Sequence, residues 1–174
     1  SAVDTTISGG GFYGNYTNSG GSGDELGGNG GNGGAIRATS DAGLLLIENG
    51  TEFNGNLTGM GGDGVAALGS GGTGGNGGAV NSSADDTTIR GGVVFEANRA
   101  GDGGSSTGVE GGFGGDGGAI RCSSDTFTVS NNVVIISNFA GRGRGALTGP
   151  PGRGGGLYFS CGTADLDDMI LDDN

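Results

Sequence analysis

The phrase GGNGGNGGAI at 27–36 returns as GGTGGNGGAV at 71–80, as GGFGGDGGAI at 111–120 and, in worn form, as PGRGGGL at 151–157. Self-similarity at a fixed beat of a few tens of residues decides a fold before any single residue does. The apolar residues that close the phrase, Ile36, Val80, Ile120 and Leu157, lie 44, 40 and 37 residues apart. A second phrase, F-x-x-N, keeps the same beat: Phe12 to Asn15, Phe53 to Asn56, Phe95 to Asn98, then Ile135 to Asn138, and LDDN ending at Asn174. A third apolar column runs through Ile7, Ile47, Ile89, Val129 and Leu166.

One unit therefore reads glycine run, G-G-A-[IV], polar turn, short apolar strand, turn, F-x-x-N, and back to glycine. Three short β-prone stretches per repeat, held in register, are what one coil of a three-sided parallel β-helix requires, with each inward side chain stacked on its equivalent one layer away. Helix is disfavoured because glycine costs about 1 kcal/mol per residue inside one. The asparagine column has its own logic. A side-chain amide both donates and accepts, so identical asparagines in successive coils can bond along the stack. The expected fold is all-β: a right-handed parallel β-helix of four to five three-strand coils. It forms a single domain over 1–174, with coils near 1–15, 16–56, 57–98, 99–138 and 139–174.

Composition sharpens this. With 48 Gly and 2 Pro in 174 residues, disorder would be the compositional expectation, but the glycines are phased against recurring apolar positions, which a flexible linker does not maintain. Collagen is excluded, since glycine does not hold every third position throughout. Apolar content of 32% suits a solenoid whose layers bury narrow strips. The GGx triplets match the three-residue turn of polyproline II, in which glycine lets chains touch backbone to backbone. The runs are expected to stack on one side of the β-helix as a second ordered layer.

Nineteen acidic residues against seven arginines, with no Lys or His, give a net charge of −12. That balance argues against nucleic acid as a partner, because phosphate recognition needs a cationic face. It is compatible with a solvated extracellular or cell-surface location. No apolar run approaches the ~20 residues of a membrane span, so membrane insertion is not expected. The chain opens at Ser1 without Met, as a processed product or an excised segment would. Cys122 and Cys161 are 39 residues apart, which places them in adjacent layers. A disulfide, pointing to an oxidising compartment, and a pair of small buried thiols are both open.

The alternation of GGAI at 33–36, GGAV at 77–80 and GGAI at 117–120 with FNGN and FEAN resembles the repeats of the polymorphic outer membrane proteins of Chlamydia, within the wider right-handed parallel β-helix repeat proteins. The resemblance spans essentially the whole chain. It implies a secreted or surface-displayed passenger, adhesin or structural repeat. The long glycine insert between FxxN and GGA departs from that pattern, as do GGGLYFS and LDDN in the final coil.

GGFGGD at 111–116 fits the start of the calcium-binding nonapeptide repeat, but Gly118 stands where that repeat needs a large apolar residue. A looser calcium expectation rests on a column of Asp4, Asp41, Asp86 and Asp125. No other metal or cofactor is indicated. The sequons at Asn15 and Asn56 fall on the ladder, so Asn49 and Asn81 are the better candidates for glycosylation. Polysaccharide hydrolysis or lyase action is the minor alternative, with no carboxylate pair or His to carry it and no catalytic residue to name. A threonine-rich ice-binding face, prompted by DTTI at 4–7 and 86–89, is broken by LLLI at 44–47. The reading is a non-enzymatic extracellular structural or adhesive β-solenoid. Its partners are expected to be further copies docked end to end in a filament, or flanking coils of a longer chain. The alternative is a fragment of a larger adhesin or autotransporter passenger that binds a glycan or surface receptor.

Overall fold

Each short apolar run becomes a strand, and each strand pairs in parallel only with its counterpart one repeat away. The computed structural model describes residues 4–39, 43–107, 110–145 and 149–174. In chain order the first layer holds β1 (Thr5–Ser8), β2 (Gly11–Tyr13) and β3 (Ile36–Ala38), the second β4 (Leu44–Glu48), β5 (Glu52–Asn54) and β6 (Val80–Ser82). Then come β7 (Asp86–Arg90), β8 (Val94–Glu96) and β9 (Ile120–Cys122), followed by β10 (Thr126–Ser130), β11 (Val133–Ile136) and β12 (Leu157–Phe159). The last strands are β13 (Thr163–Leu166) and β14 (Met169–Asp172). They assemble three parallel sheets, β1-β4-β7-β10-β13, β2-β5-β8-β11-β14 and β3-β6-β9-β12, in a β-solenoid of about four turns.

Register follows the sequence columns. Ile7, Ile47, Ile89 and Val129 align, with Leu166 beyond them. Ile36, Val80, Ile120 and Leu157 align in the third sheet. In the second, Phe12, Phe53 and Phe95 sit beneath Ile135 and Leu171. The three phenyl rings stack 4.9 and 4.7 Å apart with planes 5° from parallel. The middle layers are fully buried, while Leu166 is 40% exposed because no layer covers it.

The corners are set by left-handed residues. Between the first and second sheets lie Gly9-Gly10, Asn49-Gly50, Gly91-Gly92 and Asn131-Asn132, all with positive φ. Glycine and asparagine tolerate that region best. In every FxxN the residue before the asparagine is also left-handed: Gly14, Gly55, Ala97, Ser137 and Asp173. That twist turns the asparagine back into the stack. In GGA the first glycine, such as Gly117 at φ 68°, is left-handed as well.

Candidate functional site

Two features run along the stack: a continuous asparagine ladder beside the core and a glycine slab stacked against it. In the ladder Nδ2 of Asn15, Asn56, Asn98 and Asn138 donates to Oδ1 of the next asparagine at 2.9, 2.8, 2.9 and 3.0 Å. The same oxygens accept the backbone N–H of the asparagine one layer before. The second Nδ2 hydrogen of Asn56, Asn98, Asn138 and Asn174 reaches a carbonyl of the preceding layer, at Phe12, Phe53, Phe95 and Ile135. Asn56, Asn98 and Asn138 are wholly buried, yet each makes every bond an amide can.

The ladder is polar in direction. Among the described residues nothing donates to Asn15 Oδ1, and at the other end the Asn174 backbone N–H and one Nδ2 hydrogen are unused. The last layer also leaves a hollow of about 450 Å³ lined by Leu157, Leu166, Leu171 and Asn174.

The glycine runs leave between FxxN and GGA in each layer and fold back on themselves. Along one limb Gly20, Gly61 and Gly103 donate to Met60, Asp102 and Arg142 of the next layer, each at 2.8 Å. On the returning limb Gly30, Gly74 and Gly114 donate to Thr73, Phe113 and Pro150. Between the limbs a zigzag runs Gly31→Asn18, Gly59→Gly31, Gly75→Gly59, Gly101→Gly75, Gly115→Gly101 and Gly141→Gly115. Donors recur every third residue, at Gly27, Gly30 and Gly33 for example, which is the spacing of the three-residue extended helix. These glycines are required by proximity: a Cβ on Gly101 would lie 1.9 Å from the Gly59 carbonyl oxygen.

One carboxylate is built into the slab. Asp102, 3% exposed, accepts the Arg142 backbone N–H at 2.9 Å and pairs with Arg144 at 2.7 Å and Arg99 at 2.6 Å. Burial alone would push its pKa up. The Arg142 N–H and the two guanidiniums outweigh it and hold the carboxyl below its ordinary value.

The outer face of the third sheet carries a different column. Arg37, Asn81, Arg121 and Tyr158 follow the inward residues of β3, β6, β9 and β12 and align in register. Arg37, Asn81 and Arg121 border a groove of about 300 Å³ with Asn32, Thr39 and Ser83. Neither arginine has a carboxylate partner among the described residues, whereas Arg90 pairs with Glu48 and both Arg99 and Arg144 with Asp102. Asn81 is 6% exposed, and its Oδ1 has no hydrogen-bond partner; the Nε of Arg121 is buried and likewise unpartnered. The next arginine, Arg153, lies over the Tyr158 ring at 5.9 Å. Nothing in the sequence spacing singles this column out; it becomes visible when β3, β6 and β9 are aligned.

The cysteines correct an expectation. Cys122 and Cys161 stand as free thiols, without a disulfide. Cys122 aligns with Phe159 and turns into the core toward Ser124 Oγ at 3.2 Å, while Cys161 lies two residues past the paired position. Burial, with the neighbouring Cys122, pushes the Cys161 thiol up.

The calcium column does not form either. Thr126, not Asp125, aligns with Asp86, and Leu44 takes the layer below. Asp4 accepts the Leu44 N–H at 3.0 Å, Asp116 accepts that of Arg153 at 2.8 Å, and Asp41 lies outside the described residues. Among the described residues no cluster of three metal-ligating side chains occurs. The outward threonines Thr6, Thr88 and Thr128 share a column broken by Leu46. Of the sequon asparagines, Asn49 is exposed and bonds Ser8 Oγ, whereas Asn81 is buried.

Comparison with known proteins finds no matching family model, no matching curated protein and no matching solved structure.

Proposed function

We propose that this chain is a non-enzymatic, extracellular structural or adhesive solenoid whose stack is continued by further layers of its own kind. A second copy docked head to tail, and so on into a surface filament, is the reading favoured here. The carrying observation is the directionality of the asparagine ladder, in which Asn15, Asn56, Asn98 and Asn138 each donate to the next layer in the same sense. Donors at one end meet an acceptor at the other only when copies stack in the same sense, a heterologous contact that propagates. Flanking coils of a longer surface adhesin would satisfy the ladder equally well. The likeness of the repeat to that of the polymorphic outer membrane proteins favours surface display in both cases.

The test is light scattering with electron microscopy of the purified chain across a concentration series. Fibres whose axial repeat matches one subunit height are expected, and they should lengthen as salt screens the net charge of −12. A monodisperse monomer at every concentration would exclude the filament and leave the flanking-coil form.

A further inference from the structure

We infer that the groove on the third sheet is a binding site for an acidic sugar, one that carries a carboxylate and neighbouring hydroxyls. In a chain of net charge −12, Arg37 and Arg121 are placed two layers apart, about 9–10 Å along the stack, on a surface whose described lining includes no carboxylate. Elsewhere in the molecule guanidiniums are spent on Glu48 and Asp102. Two unpaired like charges in one groove repel each other, and an anion placed between them removes that cost. The guanidinium fork suits a carboxylate in particular.

Hydrogen bonding in the groove wall is also incomplete. Asn81 Oδ1 is a buried acceptor without a donor, and Arg121 Nε, one layer on, is a buried donor without an acceptor. Leaving such groups unpaired forfeits the solvation they would have in water. A hydroxyl can both accept from Nε and donate to Oδ1, which a fully deprotonated anion cannot. A bare inorganic anion can answer the arginine alone. The remaining lining, Asn32, Thr39 and Ser83, is short and polar, which suits further hydroxyls. The Arg37 to Arg121 span is comparable to the length of a disaccharide, so a uronate disaccharide can present its carboxylate to one guanidinium and its ring hydroxyls to Asn81.

Recognition here is independent of end-to-end assembly, because the site lies on a sheet face. Failure of one reading leaves the other standing. Titration calorimetry with digalacturonate, digalactose and sulfate, at near-physiological salt, tests it. Digalacturonate is expected to bind, with neither digalactose nor sulfate matching it. Arg37→Gln, an exposed position with no folding role, should weaken binding about tenfold, as loss of one charge-assisted bond does. Arg121→Lys, which keeps the charge and removes Nε, should weaken it too. Three results would overturn the assignment: no heat with digalacturonate, equal binding of sulfate, or digalacturonate binding unchanged in Arg37→Gln.

Discussion

Nδ2 of Asn98 donates to Oδ1 of Asn138 at 2.9 Å, and the Asn98 backbone N–H reaches that same oxygen, also at 2.9 Å. One atom of one layer thus fixes both the side chain and the main chain of its neighbour. Asn98→Asp keeps the shape, removes both amide donations and buries a charge. It is expected to cost at least about 3 kcal/mol in denaturant unfolding. The same change at exposed Asn15 loses one amide donation, to Asn56 Oδ1, and leaves the new charge in solvent, so it should cost only about 1 kcal/mol. Equal losses at the two sites would show that the ladder adds nothing beyond local turn preference.

The glycine slab makes a sharper distinction among residues of one type. Gly101→Ala drives a methyl to 1.9 Å from a backbone oxygen that is itself held in the zigzag. A loss of about 3 kcal/mol or more is expected. Gly21→Ala has no atom within 4 Å of the new methyl and no positive φ, so it should be neutral or raise stability by up to about 1 kcal/mol. Thermal melts of the two variants would reveal a mobile-loop slab if they coincided.

Ala97 stands at φ 53° where the equivalent residues Gly14 and Gly55 are glycine. An alanine pays for the left-handed region that glycine enters freely. Ala97→Gly is therefore expected to raise the midpoint of unfolding by the equivalent of about 0.5–1 kcal/mol, once the greater freedom of the unfolded glycine is deducted.

Asp102 predicts a pH dependence with a definite sign. Its folded pKa lies below the ordinary value of 3.8, so its contribution is fully present above that value and is lost as pH falls through the lower folded pKa. Stability measured from pH 6 down to about 2 should fall in the acid limb. In Asp102→Asn it should be lower at neutral pH and flatter below pH 4. An acid limb of unchanged slope would remove Asp102 as its source.

Much of this was legible because stacking repeats a requirement at the same place in every layer. Ile47, Ile89 and Val129, the phenylalanines and the asparagines all carry one role each in successive coils, and a period of about 40 residues makes that visible. What period alone does not specify is register to the single residue. Asp86 and Asp125 look equivalent in the sequence and miss each other by one position, which disperses the calcium column; Cys122 and Cys161 fail to pair for the same kind of reason. The left-handed residue inside FxxN was hidden because Ala97 and Ser137 are not residues that favour that conformation. Arg37 and Arg121 were hidden differently. Outward positions carry no packing constraint, so their agreement is seen only once β3, β6 and β9 are aligned.

The slab also sets how stability responds to temperature. Its interior is largely main chain against main chain, with Gly59, Gly75, Gly101 and Gly115 bonded in sequence. Unfolding a typical domain exposes enough hydrocarbon to raise the heat capacity by about 12–15 cal/mol/K per residue, whereas exposing peptide groups lowers it. This chain must therefore unfold with a smaller increment for its length. A small increment flattens the stability curve, pushes cold denaturation to lower temperature and keeps the layers in place over an unusually wide thermal range.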